Sequence, residues 1–348
     1  PESPDLIHKK TYQGVSVASI SRAFQDPPSP YISKKQRERI LKICEELQYY
    51  PDIHSQRLNA KRSNTIAFLS RHVAEMEVYG AGGRRMFDYN FGSVIMGAQV
   101  ALAGYGKSLQ LILVDDAYLA ERRHLKMVRS RMVDGILIWG AVESDSYVTE
   151  LLREKIPVVL LTTDGVPGGA GCGSVVADEY AGMSMLIQAA LDAGHRRIAV
   201  LEPGRSGSAG AARMRAVTDT LGRAGIAPVW TSPENGFNYE FGRRMTAELL
   251  KSKVPATCVV ASNDMAAWGC ISELRNAGLR VPEDMSVVGA DGIPVPGDLV
   301  VDSFHLPAYE IGLEGARTLC RGLEGEPGPR RLILPVARVF GNTIRPLS

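Results

Sequence analysis

Two hydrophobic periods divide the chain. Residues 1–62 follow helical spacing, whereas from Asn64 onward short continuous apolar runs alternate with amphipathic stretches. In the first part, residues 6–12 predict a weak helix and Gln13-Gly14-Val15 a tight turn. Ser16 is then the N-cap of a second short helix. In that helix Ile20 and Phe24 share one face, Ala18 and Arg22 lie opposite, and Val17 and Ser21 sit at the border. Gln25-Asp26-Pro27-Pro28-Ser29-Pro30 breaks it. Ser33-Lys34-Lys35-Gln36 is a capping box opening a third helix, where Ile40, Ile43, Cys44 and Leu47 recur at i, i+3, i+4 and i+7 and close a small core. Helix, glycine turn and helix make the helix-turn-helix outline. After Tyr50-Pro51, residues 52–60 form at most one short helix capped by Asp52, too short to be stable alone. Such an element is a plain linker, or it folds only when both neighbours favour it.

In the second part the apolar runs are 66–69, 109–114, 136–139, 158–161, 174–176, 198–201, 258–261 and 286–289, with helical stretches such as 94–103 and 183–193 between them. Continuous apolar strands alternating with helices predict parallel sheets covered on both faces. About 285 residues of this pattern exceed one ordinary domain, so two similar lobes with a cleft between them are expected. Ligands in such folds sit beyond the carboxyl ends of the strands.

Composition narrows the class. The 348 residues are 45% hydrophobic and 22% charged, with a net charge of +2. Residues 1–62 carry eleven Lys or Arg against seven acids, which leaves a balance of −2 for the rest. The small first part therefore holds the positive charge, as a phosphate-facing unit would; a solvated basic face has the same signature. No run long and apolar enough for a membrane span is present, and residues 1–13 lack the apolar core of a signal peptide. Cys44, Cys172, Cys258, Cys270 and Cys320 are odd in number and widely spaced, which argues against a disulfide framework and a zinc site. The cytoplasm is the expected compartment, and neither metal nor cofactor is expected.

Catalytic motifs fail one by one. Gly104-Tyr105-Gly106-Lys107 follows a helix and precedes a strand, the wrong order for a phosphate loop. Gly204-Arg205-Ser206-Gly207-Ser208 lacks the last glycine of a nucleophile elbow. Glu121 and His124 stand at i and i+3 without a third metal ligand. The expectation is binding, not chemistry. The second helix suits a DNA major groove, because small side chains let its backbone approach base edges and Arg22 can bond a guanine bidentately. The same composition suits a plain surface helix.

The order of parts resembles, along nearly the whole chain, the lactose and galactose repressor (LacI/GalR) family of bacterial transcription regulators. The resemblance rests on Val15-Ser16-Val17 with Ser21-Arg22, Tyr31-Ile32-Ser33 with Arg37-Glu38-Arg39, and Gln48-Tyr49-Tyr50-Pro51 followed by Arg57-Leu58. In the body it rests on Arg131-Met132-Val133-Asp134-Gly135-Ile136, Gly194-His195-Arg196-Arg197-Ile198-Ala199, Asn263-Asp264-Met265-Ala266-Ala267-Trp268-Gly269 and Val281-Pro282-Glu283-Asp284-Met285-Ser286-Val287-Val288-Gly289-Ala290-Asp291.

The resemblance implies an all-α helix-turn-helix headpiece at 1–51, a hinge helix or linker at 52–62, and a two-lobed periplasmic-binding-protein-like α/β domain at 63–348. Its first lobe would cover about 63–163 and 293–322, its second about 164–292 and 323–348. Val17, Ala18 and Arg22 would face the major groove, Ser16, Ser21 and Ser33 the phosphates. Arg57 and Leu58 would belong to the hinge, with Leu58 wedging a base step in the minor groove, unless Leu58 is a core leucine. Phe237 would stack on an effector ring. Arg213, with Arg215 as the fallback two residues on, would bond its hydroxyls or acids. Asn263, Asp291, Asp164 and Trp139 would complete the cleft. Asn263 and Asp291 could instead only cap helices, and Phe237 could be core. This set suits a sugar. The implied protein is a homodimeric repressor on a palindromic operator, with no heptad tail for a tetramer; the alternative is a sugar-binding protein of the same fold with weak or no DNA binding. Three features depart from the family: Lys9, Lys10 and Gln13 in the first helix, a long segment over 71–90 with Gly80, Gly82 and Gly83, and Gly341 where an arginine is common. The long segment could be a cleft lid, a dimer contact or mere insertion.

Overall fold

The computed structural model describes residues 15–24, 29–49, 62–71, 78–79, 85–86, 89–165, 172–204, 207–295, 297–326 and 330–347. The expected first helix, Lys9, Lys10, Gln13, and the hinge with Arg57 and Leu58 lie outside these residues. In the head, α1 (Val17–Ala23) and α2 (Lys34–Glu46) start at Ser16 and Ser33, whose hydroxyls accept the Ser19 and Gln36 backbone N–H groups at 3.1 and 3.2 Å. Ala23, Ile40 and Cys44 are buried together, with Ile20, Phe24 and Ile32 against them. Ile43 and Leu47 of the expected stripe lie only half-buried. Arg37 donates from Nε to the Ala23 carbonyl at 2.9 Å, so α2 caps the carboxyl end of α1.

The body comprises β1 (Thr65–Ser70), β2 (Val78–Tyr79), β3 (Arg85–Met86), α3 (Tyr89–Gly104), β4 (Ser108–Leu113), α4 (Asp116–Ala120), α5 (Arg123–Arg129), β5 (Gly135–Trp139), α6 (Ser146–Arg153), β6 (Val158–Leu161) and β7 (Gly173–Ala177). It continues with α7 (Glu179–Asp192), β8 (Ile198–Glu202), α8 (Ser208–Arg223), β9 (Trp230–Asn235), α9 (Tyr239–Ser252), β10 (Cys258–Val260), α10 (Asp264–Asn276), β11 (Ser286–Val288), β12 (Ser303–His305), α11 (Ala308–Leu323), β13 (Arg331–Leu334) and β14 (Ala337–Val339). Among the described residues, one parallel sheet runs β13-β7-β6-β5-β1-β4 and a second β11-β10-β8-β9. Both sheets are covered on two faces, as the continuous apolar strands require. In β1, Ile66 and Phe68 pack under α3 and α11, while Ala67 and Leu69 pack on the opposite side under α5 and α6.

The lobe boundaries differ from the expected ones. Strands β7 and β13, expected in the second lobe, pair with each other and with β6 in the first-lobe sheet. Strand β12, expected in the first lobe, pairs with β14 and extends the second lobe through bridges from Asp302 to Val288 and from His305 to Asp291. The chain thus crosses near residues 178, 306 and 335. Apolar runs cannot reveal these points, because strands on either side of a crossing have the same pattern. In the long segment before α3, β2 pairs with β3 and lies against α9 of the second lobe.

Each lobe holds one very close helix pair. A methyl on Gly97 of α3 would strike the Tyr309 carbonyl, and one on Gly312 of α11 would strike the Val94 carbonyl. In the second lobe, Gly242 of α9 meets the Ala266 carbonyl, and Gly269 of α10 meets that of Tyr239. Gly341 has a similar cause: any side chain there would strike the Val300 carbonyl beside Asp302, whose carboxylate accepts the Thr343 and Ile344 N–H groups at 3.0 and 3.1 Å. His195 ties the same tail to the second lobe, its Nε2 lying 3.1 Å from the Arg345 carbonyl.

Replacing Gly97 or Gly242 with alanine is expected to lower the unfolding free energy by about 1–3 kcal/mol through overpacking. Gly92→Ala on α3, where a methyl meets nothing, should instead gain up to about 1 kcal/mol from helix propensity. Urea denaturation of the three variants measures both signs.

Candidate functional site

The strands of both lobes end at one cleft. Arg71 follows β1, Trp139 ends β5, Thr162 and Thr163 follow β6, and Glu179 follows β7. From the second lobe come Gly204 after β8, Phe237 after β9, Asn263 after β10 and Asp291 after β11. The cavity is ≈ 200 Å³. It lies beyond the carboxyl ends of the strands, where parallel sheets expose free backbone groups and helix starts.

Arg213, on α8 and 4% exposed, forms the floor. Its Nε donates to Glu179 at 2.7 Å, Nη1 to the Ser262 carbonyl at 2.8 Å and Nη2 to Asp291 at 2.5 Å. Burial works against its charge, but Asp291 and Glu179 outweigh that and hold the guanidinium above its usual range. Burial pushes the Glu179 carboxyl up, and Arg213 draws it back. Asp291 carries φ 102°, a conformation that side chains other than glycine rarely adopt. Its backbone N–H donates to the Phe304 carbonyl and its carbonyl accepts from Leu306, both at 3.0 Å, so the surrounding chain holds it there.

Behind this floor stands Asp264, 2% exposed, which accepts from Ser303 Oγ and the Ile293 N–H, each at 2.7 Å. Burial first, and Asp291 second, push its carboxyl up to about 8. The aromatic members are Phe237 and Trp139. The Phe237 ring rests beside Gly210 at the start of α8, where a methyl would press the ring and strike the Gly204 carbonyl. The Trp139 indole Nε1 is buried without a hydrogen-bond partner. That is a donor with an acceptor still to find.

The structure brings Trp139, Arg213, Phe237, Asn263 and Asp291 to the cleft. Asn263 does both things open to it, lining the cleft while its Oδ1 caps α10 by accepting the Ala266 N–H at 2.9 Å. Asp164 is a correction. Its carboxylate is clamped by Arg331, with Nε–Oδ1 at 2.6 Å and a second contact from Nη2, and it does not line the cavity. Its backbone contributes instead: the Asp164 N–H donates to Ser208 Oγ across the lobes at 2.8 Å. The fallback Arg215 stacks on Tyr180 outside the cleft. Glu179, Arg71, Asn90 and Ser208 went unnoticed in the sequence; the place of Glu179 directly after a strand was the available signal.

On the head, Ser16, Ala18, Ser21, Arg22 and Ser33 are all exposed. The side chain of Val17 is not among those described. The Arg22 guanidinium lies 5.8 Å over the ring of Tyr31, itself 81% exposed, so an aromatic side chain joins this face.

Residues 11–52 match the family described as bacterial regulatory proteins, lacI family, and residues 187–343 match the periplasmic binding protein-like domain. The chain is 28% identical to the HTH-type transcriptional regulator CelR of Thermobifida fusca over 340 residues, covering 95% of each. Among solved structures, a transcriptional regulator CelR–cellobiose complex is 25% identical with a TM-score of 0.71, over 95% of this chain and 96% of that one. A lac repressor dimer bound to operator and the anti-inducer ONPF is 21% identical with a TM-score of 0.78 over the same shares, which speaks for the fold. Among the described residues no helix is long and apolar enough to cross a membrane, and no cluster of metal-ligating side chains occurs.

The buried Asp264 carboxyl makes stability depend on pH. Its folded value is raised, so its contribution to stability is present below about pH 4, where both states hold the proton, and is lost as the pH climbs to about 8. Asp264→Asn keeps the neutral form at every pH. The variant is expected to gain stability over the parent progressively between pH 4 and 8, then at a constant margin; thermal unfolding across that range measures it.

Proposed function

Since the chain belongs to the LacI family of bacterial regulatory proteins, we propose that it is a homodimeric transcription repressor whose hold on a palindromic operator is controlled by a sugar bound between its lobes. The observation that carries this reading is that one chain joins an exposed, hydroxyl- and arginine-bearing helix face to a cleft lined by polar and aromatic side chains. On DNA, Val17 and Ala18 enter the major groove and Arg22 leaves Tyr31 to bond a guanine. Ser16 and Ser33 bond phosphates at helix starts, Ser21 bonds one from the last turn of α1, and Arg57 and Leu58 serve the hinge. In the cleft, Phe237 stacks on a sugar ring face. Trp139, Arg213, Asn263 and Asp291 hold its hydroxyls. The relative solved with cellobiose supports a sugar.

The second copy of the chain covers an apolar face of the first lobe. Met96 and Val100 on α3 are 58% and 49% exposed, next to Leu111 and Leu113 at 44% and 47% on the edge strand β4. The switch works through the lobes: a ligand touching both changes the closure that the Asp164–Ser208 bond marks. A coupling of about 1–3 kcal/mol between sugar and operator suffices for a graded response. The reading is of a regulator rather than an enzyme, because among the described lining residues the two carboxylates, Glu179 and Asp291, are both engaged by Arg213.

Selection from a randomised duplex pool is expected to enrich a palindrome, and Arg22→Ala should relax preference at one base pair per half-site by about 1–3 kcal/mol. Failure to enrich any palindrome at low salt contradicts the regulator reading and leaves a sugar-binding protein. Phe237→Ala is expected to weaken sugar binding about tenfold and to erase the effect of sugar on operator affinity, with DNA binding itself intact. Calorimetry and gel shifts with the two proteins side by side measure these effects.

A further inference from the structure

The cleft contains a buried cation whose charge is already answered. Glu179, Arg213 and Asp291 are 6%, 4% and 5% exposed, and both carboxylates bond the one guanidinium. Arg71, the other cation lining the cleft, is paired with Asp145 at 3.0 Å and Asp116 at 2.8 Å, and no Lys or His joins the described lining. A carboxylate or phosphate entering here would meet two buried anions and, among the described residues, no unpaired cation, in a place where water screens charge poorly. An uncharged hydroxyl meets complementary groups. It donates to the carboxylates, whose oxygens each accept more than one bond, and accepts from the unpartnered Trp139 Nε1 or from the first N–H groups of α8, which starts at Gly207 with no side-chain cap.

We infer that Glu179 is a specificity-determining residue of this cleft: by sharing Arg213 with Asp291 it restricts the site to uncharged ligands and turns away acids that a lone buried arginine would take. Of the two carboxylates, Glu179 is the one free to vary. Asp291 is tied into the β11–β12 backbone at its positive φ, whereas Glu179 is the first residue of a helix that Asp178 already caps by accepting the Ala181 N–H at 3.0 Å. The inference rests on the reading of the cleft as a sugar site.

The test uses the full chain and calorimetry at neutral pH. A panel of pentoses, hexoses and disaccharides first identifies the neutral sugar that binds. Its uronic or aldonic acid is then compared with the corresponding primary amide, which has nearly the same shape and no charge. The parent protein should bind the amide at least about tenfold more tightly than the acid. Glu179→Gln should shrink that ratio severalfold while moving the neutral sugar's affinity less, and Glu179→Asp, which keeps the charge, should preserve the ratio. Should the Gln variant fail to fold, Glu179→Ser, which also removes the charge, takes its place with the same shrinkage of the ratio expected. Equal binding of acid and amide by the parent, or a folded Gln variant with an unchanged ratio, overturns the inference and leaves the sugar reading standing. No binding of any neutral sugar removes the sugar reading, and the inference with it.

Discussion

The arrangement of the second lobe around its ligand face depends on one buried guanidinium. Taking Arg213 out of water costs several kcal/mol, which only close, well-directed partners offset. Those partners come from three places: Glu179 at the start of α7, the Ser262 carbonyl after β10, and Asp291 after β11. Arg213 therefore fixes the ends of separate elements relative to one another before any ligand arrives. A ligand meeting such a floor orders little, which is how a small cleft binds selectively. The strained backbone of Asp291 belongs to the same economy of structure, since its ion pair and its bonds to Phe304 and Leu306 over-determine its position.

Outside the floor, each lobe is held by one close helix pair. Reciprocal glycines let α3 meet α11 and α9 meet α10 with backbone against side-chain-free backbone, and such contacts resist sliding. The lobes are joined by the crossings near residues 178, 306 and 335 and by bonds that span them, such as Asp164 to Ser208. In the proposed switch, a ligand that touches both lobes changes their closure, and closure is what a head attached to the first lobe would sense.

Much of this was legible in the sequence because burial on both faces leaves continuous apolar runs: eight expected strands appear as β1, β4 to β8, β10 and β11, within about two residues. Ser16 and Ser33 were legible as caps because a hydroxyl before a helical period has one economical use. What the sequence hid was of three kinds. Strands β9, β12, β13 and β14 are polar, short or at edges, so no apolar run marks them. The lobe crossings leave no local signal. Long-range partners are invisible: Asp164 has a cleft position by order, but Arg331 arrives 167 residues later and takes its carboxylate. Glu179 reads as an ordinary first-turn acid of α7, favoured there by the helix dipole in any case.

If a sugar binds between the lobes on a floor that does not rearrange, a crystal structure of the full chain with its bound sugar will show the ring against Phe237, a hydroxyl on the indole Nε1 of Trp139, and Arg213 still bonded to both Glu179 and Asp291. A sugar bound elsewhere, or an Arg213 that has left its carboxylates to reach it, would overturn this.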